Sequence, residues 1–91
     1  MTQHRMTAEV ATSVDTMVHA LRRVRPSVYR IDAEADRTTI TLTVRASAAG
    51  RHNAAMRIVS ALADGGVGLV ADDPIDELAR GASLVMVRQP G

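Results

Sequence analysis

The side chains best able to do chemistry in this 91-residue chain gather in four places. Arg22, Arg23, Arg25 and Arg30 form the densest basic cluster. Guanidinium groups grip phosphate in a bidentate fashion, so a nucleic-acid backbone or another phosphate is one candidate partner. Gly50, Arg51, His52 and Asn53 stand where a loop opens into a helix. A helix start presents unpaired backbone N–H groups, glycine lets a ligand approach closely, and Arg51 adds charge, which suits a carboxylate or phosphate. Asp72, Asp73, Asp76 and Glu77 make an acidic cluster, but without the glycine-containing spacing of a calcium loop and at positions where helix capping favours such residues. Val70, Leu84 and Met86 complete the set as apolar strand residues for a contact between two copies of the chain.

Three histidines invite a metal or acid–base reading. His4 falls near the start and His19 opposite the apolar stripe of its helix, each without a local partner set. His52, beside Arg51 and Asn53, is the one through which a small enzyme could act. Ser47 and His52 lack the third group that would orient a base, so no catalytic residue, metal site or cofactor is expected. The absence of Cys removes disulfides, thiolate metal sites and thiol nucleophiles.

These residues need a scaffold, and composition allows one domain. Leu, Ile and Val supply 21 residues, enough to fold, while the lack of Phe and Trp and a single Tyr leave a thin aliphatic core. The formal net charge of +1 is not that of a strongly basic nucleic-acid binder. No apolar run reaches the ~20 residues of a membrane span and the start lacks a signal-peptide core, which predicts a cytoplasmic protein. All 11 basic residues are Arg, a bias that suggests a bacterial origin.

Apolar spacing predicts the elements. Thr7 can cap a helix with Val10, Val14, Met17, Val18 and Leu21 on one stripe, ended before Pro26. Residues 27–32 and 38–46 read as strands, the second with Ile40, Leu42 and Val44 on one face and Thr39, Thr41 and Thr43 on the other. A second helix carries Ala55, Ile58, Val59 and Leu62 and stops at Gly65 and Gly66. A strand at 67–71, a helical turn from Asp72 to Arg80 and a strand at 82–88 follow. Residues 1–6 are expected to be disordered and 7–89 to form one αββαββ domain.

The elements also look duplicated. Val18, Ala20, Leu21 and Val28 return 41 residues later as Val59, Ala61, Leu62 and Leu69, and Leu42, Val44 and Arg45 return 43 later as Val85, Val87 and Arg88. Two αββ units side by side predict an α+β fold of ferredoxin-like topology with its first strand moved to the end: a four-stranded antiparallel sheet with two helices on one face.

The run of strand 40–46, loop Ser47 to Gly50, the helix ending Ala61-Leu62-Ala63-Asp64-Gly65-Gly66, and the strand opening Val67-Gly68-Leu69 resembles ACT-type regulatory domains. The resemblance covers a little over half the chain in permuted order and implies a small effector, such as an amino acid, at the glycine loop. Arg51 and His52 depart from it, standing where the family usually has an apolar residue.

Together these readings predict a non-enzymatic regulatory or accessory domain acting by self-association and by binding a small anionic effector or a partner protein. The alternative is a nucleic-acid- or phosphate-binding accessory protein using the four arginines, and a third reading is an enzyme using His52. Self-association follows from Leu84, Val85, Met86 and Val87, apolar in succession, which puts apolar groups on both sheet faces. Covering of the outer face by Ile75 and Leu78 is the intramolecular alternative.

Overall fold

The computed structural model describes residues 14–89, so Thr7, Val10, His4 and the expected disordered start lie outside the described residues. In chain order come helix α1 (Val14–Ala20), a 3-10 turn (Pro26–Val28), strands β1 (Tyr29–Ala33) and β2 (Thr38–Leu42), helix α2 (Ala48–Asp64), strand β3 (Val67–Leu69), helix α3 (Pro74–Ala79) and strand β4 (Ser83–Arg88). The strands form one open antiparallel sheet in the order β1-β2-β4-β3. The last strand therefore inserts between β2 and β3, which α2 connects and which run parallel with one strand between them.

Register decides which side chains meet. Ile31 pairs with Ile40 and Ile40 with Leu84, while Thr38 and Leu69 both pair with Met86. Residues directly opposite share a sheet face, so these residues, with Leu42 and Val67, line the face toward the helices. Met17, Leu21, Ala55, Ile58, Leu62 and Leu78 close the same core from the helices. Leu21 and Leu62 are both fully buried, as the paired helix stripes require. The stripe of α1 is narrower than its spacing predicts. Met17, Ala20 and Leu21 are buried, but Val18 is 52% exposed because it stands about 100° around the helix from Met17.

Pro26 shapes the exit from α1. Arg25 takes extended geometry (φ −63°, ψ 133°), and ahead of it the helix tightens into i to i+3 hydrogen bonds, Arg22 N–H to the His19 carbonyl and Val24 N–H to that of Leu21. The predicted strand at 27–32 thus begins two residues later, after the 3-10 turn. The strand at 38–46 stops at Leu42, although Thr43 and Val44 still donate backbone hydrogen bonds to the Val28 carbonyl.

At the end of α2 the two glycines have different tasks. Gly66 holds the left-handed conformation (φ 79°), whereas Gly65 admits α1: a Cβ there would lie 2.7 Å from that of Ala20. Capping explains Asp73 and Glu77 of the acidic cluster, and an ion pair explains Asp76. The Asp73 carboxylate accepts from Asp76 N–H at 3.2 Å, Glu77 accepts from Asp73 N–H at 3.1 Å, and Asp76 pairs with Arg80 at 3.0 Å. The helix so started packs on α2 with Leu78 in the core. It lies on the helix side and does not cover the outer sheet face.

The apparent repeat splits at this level. The 41-residue offset maps buried Leu21 onto buried Leu62, but the 43-residue offset maps Leu42, facing the helices, onto Val85, facing away. The residues facing the helices are even-numbered in both β2 and β4, so an offset of 43 sets inward residues against outward ones, and that half of the similarity is not a structural equivalence.

Candidate anion-binding groove

The turn after α1 crosses the N-terminal half of α2 and leaves a groove of about 380 Å³ lined by Arg23, Val24, Arg25, Val28, Val44, Gly50, Asn53, Ala54 and Arg57. Pro26 puts Arg23, Val24 and Arg25 on a non-helical segment that forms one wall. Gly50, Asn53, Ala54 and Arg57 recur at three- and four-residue spacing, so one face of α2 forms the other. Val28 and Val44 provide an apolar floor, held on one side by the hydrogen bonds to the Val28 carbonyl and on the other by Arg51, whose Nη1 donates to the Val44 carbonyl at 2.8 Å.

The groove is lined by three arginines and no carboxylate. Among the described residues, no ion pair forms to Arg23, Arg25 or Arg57. Two other concavities are mixed in charge. A larger one of about 650 Å³ between α1 and α2 combines Asp15, His19 and Asp64 with Arg22 and Arg23. One of about 530 Å³ at the outer sheet face combines Asp32 and Glu34 with Arg37, whose guanidinium is held above its usual pKa by the hydrogen bond to Glu34 and by the charges of Glu34 and Asp36.

The two sequence-derived binding sets are both divided. From the helix start, Gly50 and Asn53 line the groove, but His52 does not and is exposed. Arg51 is committed elsewhere: it is partly buried and also donates from Nε to the Ala79 carbonyl at 2.7 Å, tying α2 to the end of α3. The helix start is itself capped, with Ser47 Oγ accepting from Gly50 N–H at 3.2 Å. Gly50 answers to packing as well, since a Cβ there would stand 2.9 Å from that of Ala46.

From the basic cluster, Arg23 and Arg25 enter the groove, while Arg22 donates to the His19 carbonyl at 2.9 Å. Arg30 pairs with Asp32 at 3.0 Å, and its register with Thr41 places it on the outer sheet face. The four arginines therefore do not form one surface. Tyr29 is on the helix side and half-buried, leaving the outer sheet face without an aromatic for base stacking.

The interface set needs correction. Leu84 and Met86 are 5% and 1% exposed and belong to the core, because the register of β4 with β2 turns them toward the helices. Val85 and Val87 occupy the outer face instead, with Val70 beside them at 59% exposure. Arg57 was missed by sequence reasoning, yet its signal was present: it follows Asn53 by four residues and Gly50 by seven, on the same face of α2.

Among the described residues, no group of three His, Asp or Glu side chains could hold a metal ion, and no helix is long and apolar enough to cross a membrane. No family model matches the chain. Comparison with curated proteins and with solved structures gives no match either.

Proposed function

We propose that this chain is a small accessory or regulatory domain whose function is to bind an anionic small molecule in the groove between the α1 exit and α2. One observation carries the reading: Arg23, Arg25 and Arg57 converge with Asn53 on a concavity that no carboxylate lines. Guanidinium groups without ion pairs repel one another and favour an anion between them, and Asn53 can both donate and accept a hydrogen bond. The volume is within the range of small-ligand sites, and the valine and alanine floor suits a ligand that carries an apolar part beside its carboxylate or phosphate.

The topology is consistent with this role. With β4 placed first and α3 set aside, the elements run β-α-β-β-α-β, an order compatible with the ferredoxin-like arrangement in permuted form. The ACT-type resemblance supports a regulatory role, with the effector moved from the glycine loop to the neighbouring face of α2. A nucleic-acid reading draws on the same Arg23 and Arg25 but loses Arg22 and Arg30 to other partners.

Calorimetric titration with inorganic pyrophosphate and with a short aliphatic dicarboxylate, alongside single-stranded RNA at rising salt, tests the reading. Removing a charged hydrogen-bond partner costs ~1.5 to 3 kcal/mol, so Arg23→Ala, Arg25→Ala and Arg57→Ala should each weaken binding of the small anion about tenfold or more. Arg22→Ala should leave it unchanged. No measurable binding of either small anion, or RNA binding that falls steeply with salt and depends equally on Arg22 and Arg30, would reverse the conclusion.

A further inference from the structure

We infer that the anion held by the groove is the carboxylate of a short peptide with free termini, and that the ammonium group of the same molecule lies at Asp64. The ligand class follows from the length of the cleft and rests on the anion-binding role proposed above. The groove and the larger concavity beside it are two stretches of one cleft along α2. Gly50, Asn53, Ala54 and Arg57 line the first, and Ala61, Asp64 and Gly65 the second, so steps of three and four residues carry a single face of α2 through both. Arg23 lines both stretches from the opposite wall. Ala61 stands between Arg57 and Asp64, and Ala20 lines the same stretch from α1, so small apolar side chains wall the space between the two charges.

Charge and length select the occupant. The carboxylates of the cleft are confined to one end, where Asp64 and Asp15 line it. Asp64 is exposed, forms no ion pair among the described residues, and stands in the last turn of α2, where the helix macrodipole disfavours a carboxylate. Arg22 lines the same end, but its guanidinium is directed onto the His19 carbonyl at 2.9 Å. From Arg57 to Asp64 the helix advances about 10 Å. A free amino acid carries its charges on either side of one carbon and reaches only one end. An extended peptide advances ~3.3 to 3.6 Å per residue, so about three residues set a terminal ammonium and a terminal carboxylate that far apart. A nucleic acid or a long dicarboxylate would instead bring negative charge to Asp15 and Asp64.

Calorimetric titration at about pH 7, where a terminal ammonium of pKa ~7.7 to 8.0 is largely protonated, compares trialanine with N-acetyl-trialanine, which keeps the carboxylate and lacks the cation. An exposed ion pair is worth little, so trialanine should bind about two- to fivefold tighter than its acetylated form at low salt, and added salt should shrink the difference. Alanine should bind no tighter than N-acetyl-alanine, since its ammonium falls among the arginines. Asp64→Asn should erase the preference for trialanine and Asp64→Arg should reverse it, a result that damage to the fold cannot produce. Trialanine that binds no tighter than its acetylated form, while that form still binds and depends on Arg57, overturns the peptide assignment and leaves the anion-binding groove in place. A preference that survives Asp64→Arg overturns the assignment too. Absence of binding by the acetylated peptide, by trialanine and by inorganic pyrophosphate alike overturns both the assignment and the groove.

Discussion

Arg51 shows how a residue of one chemical type can serve two purposes that local sequence does not distinguish. It stands at a helix start beside glycine, where an anion-binding arginine would stand, but its guanidinium donates to the carbonyls of Val44 and Ala79. Ala79 is 28 residues away, so nothing near Arg51 in the chain announces the contact. The planar fork reaches two carbonyls at once, which a lysine ammonium does not reproduce. Arg51→Met should cost about 2 kcal/mol in urea unfolding, within the range for losing hydrogen bonds from a charged donor, and Arg51→Lys should recover less than half of it. Full recovery by lysine would show that charge alone matters. At Asp73, by contrast, the capping function was legible, because the acidic residue, the following Pro74 and the carboxylates of the first turn make a local signal and the partner is three residues on.

At the scale of elements, α2 was readable in outline because Ala55, Ile58 and Leu62 repeat at helical spacing and all three are buried. Strand β4 was readable as a strand but not as an oriented one. Its four central residues are all apolar, so alternation gives no preference between its faces, and the choice falls to the pairing of Ile40 with Leu84. That pairing makes a sharp contrast. Met86→Glu buries a charge among core side chains and should remove several kcal/mol, a large share of the ~5 to 15 that stabilises a domain. Val87→Glu, on the opposite side, should cost less than about 1.5 kcal/mol. Chemical denaturation of the two variants decides it, and equal losses would mean that the outer face is covered.

Across the whole molecule, the sheet, α1, α2 and α3 share one core, and no aromatic side chain belongs to its buried centre. Such a core depends on close approach of small residues, as where Ala20 meets Gly65. Leu21→Ala and Leu62→Ala should each cost ~2 to 5 kcal/mol through lost burial and the cavity left behind. Both should shift one cooperative thermal transition, because the two leucines belong to the same packed unit. Val18→Ala, on the exposed flank of α1, should change stability by less than about 0.5 kcal/mol. A large effect of Val18 would indicate a partner on that flank.

Sequence alone determined the kinds of the main elements, their order and the stripe that α2 buries, since these follow from spacing over three or four residues and from local breakers such as Pro26 and Gly66, whereas of the α1 stripe Val14 and Val18 are exposed. It did not determine strand boundaries to better than a few residues, because Thr43 and Val44 keep strand-like hydrogen bonds beyond the end of β2. Tertiary structure decided the remainder: β4 between β2 and β3, Leu84 and Met86 inward, Arg30 on the outer face and Arg51 on backbone carbonyls. It also brought Arg23 and Arg25 opposite Arg57, joining halves of two sites that the chain keeps more than 30 residues apart. The physical reason is common to all of these. Each depends on the relative placement of segments distant in the chain, set by pairing register and shared burial, and no local pattern of residue types encodes that placement.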